Sequence, residues 1–345
     1  MKYFYILLFA ISLAMPAVAQ EANNQSVAFA ALIAEYQQAD ADYGEMMMSD
    51  NPDFSAIFPV DLFMPKFQTL AEQSDPDAMA WVLEKIDFTD LDGSLKVAKR
   101  ASLVNRLSAF PNRWDTVQAL TEEFLRAANE DPDWKLSSVA PVTNKMLNSV
   151  TDARCASQLL LTQYRLNLLG GSSSESLLAV LNRIEKDFPN TTVATILPRL
   201  RYFVEKLQPG QPLPNFQGED VMGNVITQQS LKGRPTLMLF WNNHGAISRP
   251  LALEVRQLHA DYGASGLHVL GVANDERKRT FMQSVQSQGH TWDNLYSGND
   301  SEGLGLDWGI LDFPTTLLID AQGIIRYRGL KGEELTKAVE ALVSP

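Results

Sequence analysis

One stretch of the sequence, between residues 237 and 250, gathers several side chains that could take part in chemistry. It begins as a continuous apolar run and then becomes polar, with two amides, an imidazole and a hydroxyl: Asn242, Asn243, His244 and Ser248. Pro250 is typical of the first turn of a helix, which places the polar residues between a strand and a helix. Because N–H groups at a helix start favour negative charge, this loop could bind a small anion or a carboxylate, with His244 as its titratable group.

The sequence offers few nucleophiles. Ser248 is expected to cap the helix, because no base is placed to activate its hydroxyl. Cys155 is the only cysteine, so the chain cannot form an intramolecular disulfide. We expect a buried structural thiol there, because free cysteine behaves as a small hydrophobe, and a redox role for Cys155 is the alternative. The histidines are scattered and no metal-binding motif is present, so neither a metal nor another cofactor is expected.

Length and charge limit the class of protein. The 345 residues are enough for two domains, each with its own core. With 41 acidic and 29 basic residues, the formal net charge is −12. Such an acidic chain is a poor partner for nucleic acid or for an anionic membrane surface, which both attract basic proteins.

The first residues are typical of a secretory signal peptide. Lys2 precedes an apolar run, 3–15, and small residues follow up to Ala19. This pattern predicts a signal peptide at 1–19, cleaved after Ala19, and a periplasmic or secreted mature protein. The run is shorter than a membrane-spanning helix, which needs about 20 residues. No cysteine stands directly after this run to carry a lipid, so we expect no membrane anchor.

Residues 20–207 have apolar periodicity typical of helices almost throughout, with Ser26 as an expected N-cap. Short breaks such as Gly170-Gly171 separate segments of similar length. The pattern predicts an all-α domain of helical hairpins. Their spacing leaves open whether these hairpins form a repeat-like array or an irregular bundle.

The segment 208–214, rich in proline and glycine, predicts a domain boundary. After it the pattern alternates between strands and helices. A hairpin is expected at 220–226, buried strands at 236–241 and 267–274, and a last helix at 333–343. Residues 208–345 are therefore predicted to form an α/β domain.

Several motifs of this domain, in this order, resemble the thioredoxin superfamily, in particular its TlpA/ResA-like and AhpC/TSA-type redoxin branches. They are Gly210 to Phe216 at the entry, Lys232-Gly233-Arg234-Pro235 before the central strand, Phe240-Trp241 at its end, and Phe313-Pro314 before a later strand. The resemblance implies a thioredoxin fold for 208–345 and does not extend to the helical domain.

The resemblance also implies a site in which the family's chemistry is absent. The two cysteines of the family's Cys-x-x-Cys motif would fall at Gly245 and Ser248, because 245–248 reads Gly-Ala-Ile-Ser. In active members the proline matched by Pro314 pairs with the substrate chain. We therefore expect a non-catalytic module that binds a protein or peptide partner in the cell envelope. The candidate binding residues are Trp241, Asn242, Asn243, His244, Phe313 and Pro314. A thiol-disulfide role using Cys155 or a partner's thiol, and anion binding at 242–248, are the alternatives.

Overall fold

The computed structural model describes residues 26–131, 134–242, 248–274, 278–287, 290–298 and 303–343, with the backbone alone at 248, 249 and 287. The predicted signal peptide lies outside these residues. The chain divides into two compact units between Thr195 and Ile196. The predicted fold class, helical hairpins followed by an α/β thioredoxin fold, is confirmed.

The helical unit contains α1 (Val27–Met47), α2 (Pro59–Glu72), α3 (Pro76–Lys85), α4 (Gly93–Leu107), α5 (Trp114–Glu130), α6 (Leu136–Ser149), α7 (Ala153–Leu169), α8 (Ser174–Asp187) and α9 (Thr192–Thr195). Polar side chains cap several of these helices at their N-termini. The predicted cap is confirmed, since Ser26 Oγ accepts the N–H of Phe29 at 3.1 Å. The carboxylate of Asp75 accepts the N–H groups of Asp77 and Ala78. Such caps satisfy N–H groups that have no partner inside the helix.

Each helix of this unit packs against helices that are near it in the chain. Helices α3, α5, α7 and α9 lie against one another in succession, and α2, α4, α6 and α8 pack beside them. Aromatic rings fill one end of the core, where Phe67 and Trp81 stack with centroids 3.9 Å apart and Tyr36 meets Trp81 edge-on at 5.2 Å. A buried ion pair joins Arg113 to Asp77 at 2.5 Å.

The second unit begins with α10 (Leu197–Lys206), 12 residues ahead of the boundary expected at 208. A long-range contact explains this difference. The Arg328 guanidinium donates to the carbonyls of Phe203 and Leu207 at 3.3 and 3.2 Å, and it lies 4.4 Å over the Phe203 ring. This arginine holds the end of α10 in the second unit. The segment 208–214 therefore lies within that unit.

The remaining elements are β1 (Gln217–Glu219), β2 (Val225–Thr227), β3 (Thr236–Trp241), α11 (Ser248–Tyr262), β4 (His268–Ala273), α12 (Lys278–Ser287), β5 (Asp293–Tyr296), α13 (Leu304–Asp307), β6 (Thr315–Ile319), β7 (Ile325–Arg328) and α14 (Gly332–Val343). Five strands form one sheet in the order β5-β4-β3-β6-β7. Strands β3, β4 and β5 are parallel, and β6 is antiparallel to β3 and β7. The mixed sheet with β3 at its centre is that of a thioredoxin fold.

Both faces of the sheet are covered, so all six residues of β3 are buried. Leu237, Leu239 and Trp241 face a core that also contains side chains of α11, α12 and α14. Phe240 points to the opposite face, where its ring lies 5.8 Å from that of Trp308. None of the helices within the described ranges is long and apolar enough to cross a bilayer.

Segments that precede β3 pair with both outer strands of this sheet. Asp220 forms a bridge with Leu295 of β5. On the other side, Gly210 donates to the carbonyl of Ile325 at 2.7 Å, and the N–H of Ile325 donates to Gln211 at 2.9 Å.

Candidate functional site

The carboxyl ends of the parallel strands lie in one row. Asn242 follows β3 and Asn274 follows β4, and the Asn274 N–H donates to the carbonyl of Trp241 at 2.8 Å. The Ser297 N–H, just after β5, donates to the carbonyl of Ala273 at 2.8 Å. Open α/β sheets bind their ligands outside this edge. Helix α11 starts at Ser248, only six residues after Asn242, so its N-terminus lies at the same edge.

Several of the candidates named from the sequence lie outside the described residues: Asn243, His244 and Gly245. Ser248 is the first residue of α11, and its side chain is not described. The roles expected for the 243–248 loop therefore remain predictions.

Trp241 contributes to this edge through its backbone. Its side chain is 1% exposed and packs in the core, 4.7 Å from the His290 ring and 6.5 Å from the Phe281 ring. The indole is therefore part of the scaffold and cannot face a ligand. Asn242 is half-buried, and its Oδ1 atom is buried without a hydrogen-bond donor in the part of the chain that the structure describes. The rest of this side chain is partly exposed, so Asn242 can contact a ligand at the edge.

Pro314 lies beside the end of β3. The register pairs Phe240 with Thr315, so Pro314 comes one residue further, next to Trp241. The Phe313–Pro314 peptide bond is cis. The Thr315 hydroxyl donates to the carbonyl of Asp312 at 2.6 Å and fixes the turn before β6. Asn242 and Pro314 thus flank the same strand end.

Phe313 is half-buried and packs over Gly305 of α13. A Cβ atom added at Gly305 would lie 3.4 Å from the phenyl ring. The Phe313 ring therefore lies within van der Waals distance of α13. Phe313 offers a partly exposed apolar surface next to Pro314.

A buried polar cluster lies behind Trp241, and the sequence analysis missed it. The His290 ring stacks on Trp292 with centroids 4.7 Å apart. Asn294 is fully buried, and its Nδ2 donates to the carbonyl of Trp292 at 2.7 Å. Gly271 makes room for this amide, since a Cβ there would lie 2.0 Å from Asn294 Oδ1 and 3.1 Å from Trp241 Nε1.

Burial, together with the positive charge of Arg256, lowers the pKa of His290 to about 4. The imidazole is therefore neutral at neutral pH. No local signal in the sequence distinguished His290 from a surface histidine, because its environment includes Trp241 of β3 and Arg256 of α11, both distant in the chain. It supports the site from behind and does not line it.

Another histidine links two neighbouring strands at the opposite edge of the sheet, where the parallel strands begin. His268 Nε2 lies 2.9 Å from Asp293 Oδ2, and these residues begin β4 and β5. Burial lowers the pKa of His268. Since ligands bind at the carboxyl edge in such folds, we assign this contact to the stability of the sheet.

Cys155 belongs to the helical unit and is 2% exposed. It lies in the first turn of α7, where its N–H donates to the carboxylate of Asp152 at 2.8 Å. The neighbouring Arg154 guanidinium stacks 3.7 Å over the Trp114 ring. Among the residues with described positions, no group of three or more His, Cys, Asp or Glu side chains is arranged to hold a metal ion.

The sheet order and the proline before β6 define the class of protein, a thioredoxin fold. A family model described as the AhpC/TSA family matches residues 209–328. Residues 209–328 are therefore a redoxin domain of the thioredoxin superfamily, as the sequence resemblance implied.

Known relatives agree with this assignment. The thiol:disulfide interchange protein DsbE of Vibrio cholerae is 30% identical over 128 residues, which cover 36% of this chain and 66% of that protein. The protein of the same name from Yersinia pestis is 32% identical over 34% of this chain and 62% of its own length. The thioredoxin-like protein YneN of Bacillus subtilis is 26% identical over 35% of this chain and 70% of its own length. The chain thus spans just under two thirds of the length of the interchange proteins it matches.

Solved structures match the same part. The crystal structure of the thioredoxin domain of a Bacteroides vulgatus thiol-disulfide oxidoreductase is 24% identical, covers 40% of this chain and all of that domain, and has a TM-score of 0.37. The solution structure of a thiol:disulfide interchange protein from a Bacteroides species is 24% identical, covers 40% of this chain and 91% of its own, and has a TM-score of 0.36.

Proposed function

We propose that this protein is an exported binding protein, built on a thiol-disulfide oxidoreductase-like fold, that performs no thiol-disulfide chemistry of its own. Its partner is a protein or peptide of the cell envelope, held at the carboxyl edge of the sheet. The observation that carries the proposal is the single cysteine of the chain, Cys155, which is buried in the helical unit. The resemblance assigns Gly245 and Ser248 to the positions of the two thiols.

The chemistry of disulfide exchange supports this reading. One thiolate attacks a substrate disulfide, and a second thiol resolves the mixed disulfide that forms. Glycine has no side chain, and a serine hydroxyl cannot form a disulfide bond. A chain with one buried cysteine therefore cannot complete a two-thiol cycle at this edge.

The groups that remain at the edge suit a polypeptide ligand. Asn242 presents a half-buried amide side chain directly after β3. Phe313 and Pro314 add a partly exposed apolar surface on the other side of the strand end. The backbone of an extended peptide can hydrogen-bond to the Asn242 side chain while its apolar side chains pack on Phe313.

Disulfide reductase turnover on a disulfide-bonded test protein tests the missing chemistry. We expect none from the full chain or from Cys155→Ser, and turnover lost in Cys155→Ser would favour the alternative redox role. The double variant Gly245→Cys, Ser248→Cys restores the family motif and should gain turnover. If it gained none, the assignment of these two positions to the thiols would be wrong.

Binding of a reduced and alkylated unfolded protein tests the partner site. We expect Asn242→Leu to weaken binding by about tenfold, since it removes one hydrogen bond to the ligand. Asn105→Leu, an exposed amide in α4, is the matched control and should leave binding unchanged. Equal affinities for the three proteins would contradict the proposed edge.

For the anion alternative, His244→Ala should lower the stabilisation that phosphate gives in a thermal melt.

A further inference from the structure

The beginning of the helical unit exposes an unusual number of large apolar side chains. Met48, Phe54, Ile57 and Leu62 are 91%, 81%, 69% and 52% exposed. Single exposed hydrophobic residues are normal, but a group of this size marks an interaction site. All four lie between the end of α1 and the first turn of α2. We call these four residues the apolar surface.

The backbone that carries the apolar surface is folded. The Asp53 N–H points to the sulfur of Met46 at 3.1 Å, and the Ser55 N–H donates to the Asp53 carboxylate at 2.9 Å. The Phe58 ring lies between two others, 5.6 Å from Tyr43 and 6.1 Å from Phe88. Phe58 anchors the segment, while the four side chains of the apolar surface remain in solvent.

The start of α4 continues the apolar surface. Lys96 donates to the carbonyl of Asp87 at 3.2 Å, which holds the first turn of α4 beside Phe88. On either side of Lys96, Leu95 and Val97 are 57% and 68% exposed. Exposed apolar side chains therefore extend from the α1–α2 connection toward α4.

The part of the chain that carries the apolar surface is acidic. Residues 27–65 contain no Lys, Arg or His. They contain seven acidic residues: Glu35, Asp40, Asp42, Glu45, Asp50, Asp53 and Asp61. They contribute −7 to a formal net charge of −12 for the whole chain. Lys66, the next residue after this range, offsets one of these charges, since its Nζ lies 3.7 Å from the Glu35 carboxylate. Burial raises the pKa of the Asp61 carboxyl group, and the negative charge of Asp90 raises it as well.

The exposed apolar side chains and the negative charge together restrict which kind of partner can bind the apolar surface. A second copy would bring two surfaces of the same strong negative charge together, and an anionic membrane would be repelled in the same way. We propose that the apolar surface docks a polypeptide segment that is itself apolar on one face and rich in Lys and Arg on the other. The apolar side chains supply the buried area, and the acidic residues of 27–65 attract the basic residues.

The experiment measures fluorescence anisotropy of a labelled amphipathic helical peptide of leucine and lysine, titrated with the full chain. A peptide of the same pattern with glutamate in place of lysine is the charge control. We expect binding of the lysine peptide only, weakening by tenfold or more when salt rises from about 50 to 200 mM. The variant Phe54→Ser, Ile57→Ser should weaken it by about tenfold or more, since it removes two apolar contacts.

Matched variants separate this site from general attraction to an acidic protein. Leu253→Ser, Met282→Ser removes two exposed apolar side chains of the second unit, 58% and 48% exposed, and should leave the affinity unchanged. Circular dichroism of each variant should match that of the parent protein. Binding that is absent, equal for both peptides, or equally weakened by both double variants would overturn the proposal. Two other results would also overturn the proposal. One is binding of the parent protein to anionic vesicles that Phe54→Ser, Ile57→Ser abolishes, and the other is self-association of the parent protein in ultracentrifugation that the same variant abolishes.

Discussion

The substitution Gly271→Ala tests the packing behind the candidate site most directly. Gly271 lies in β4, level with Leu239 of β3 and Asn294 of β5. The new methyl group would lie 2.0 Å from Asn294 Oδ1, far inside the contact distance of two atoms. The amide must therefore move, although it is fully buried and its Nδ2 donates to the Trp292 carbonyl at 2.7 Å.

Two costs follow from this displacement. Forcing a methyl group into a filled core costs roughly 1–3 kcal/mol, and leaving a buried polar group unpaired costs about the same. We therefore expect Gly271→Ala to lower the free energy of unfolding of the second unit by roughly 2–6 kcal/mol. Gly44→Ala is the control, because a Cβ at Gly44, inside α1, meets nothing within 4 Å. It should stabilise the helical unit by about 0.5–1 kcal/mol.

Urea denaturation followed by tryptophan fluorescence measures both changes, with the transitions of the two units fitted separately. The double variant Gly271→Ala, Asn294→Ala removes the amide that obstructs the new methyl group. Its loss should be smaller than the sum of the two single losses by at least about 1 kcal/mol. A Gly271→Ala protein as stable as the parent, or purely additive losses, would refute the proposed clash.

Three further predictions concern charged groups. Arg113→Met should destabilise the helical unit by about 3 kcal/mol in urea, because the buried carboxylate of Asp77 loses its ion-pair partner. Lys66→Met, at an exposed ion pair, should cost less than about 0.5 kcal/mol in the same assay. Arg328→Met should cost about 1–2 kcal/mol and speed amide hydrogen exchange in α10, since two carbonyls lose a donor. The pKa of His290 falls from 6.5 to about 4 on folding, so the unfolded chain takes up this proton first and stability drops as pH falls through that range. His290→Gln should flatten that part of the stability curve, and an unchanged curve would contradict the burial of the imidazole.

The sequence predicted what depends on neighbouring residues. The apolar run 236–241 indicated a strand buried on both faces, and all six of its residues are buried. Ser26 was correctly identified as a helix cap, because that hydrogen bond closes within three residues.

What the sequence could not predict depends on contacts between distant residues. Helix α10 belongs to the second unit partly through Arg328, which is 121 residues from Leu207 in the chain. The His290 ring contacts Trp241 of β3 and is influenced by Arg256 of α11, so its low pKa depends on residues distant in the chain. For the same reason the apolar surface was not foreseen, since hydrophobic side chains in a helical pattern are usually expected to be buried.

The segments that pair with both outer strands of the sheet have a consequence for any attempt to isolate the redoxin domain. Asp220 bridges to β5, and Gly210 and Gln211 pair with β7, so residues 210–220 protect both sides of the sheet. A fragment that began at β3 would keep all five strands but expose unpaired N–H and C=O groups along both edges. Such edges template pairing between chains. A fragment starting near 196 should remain monodisperse, whereas one starting near 230 should aggregate.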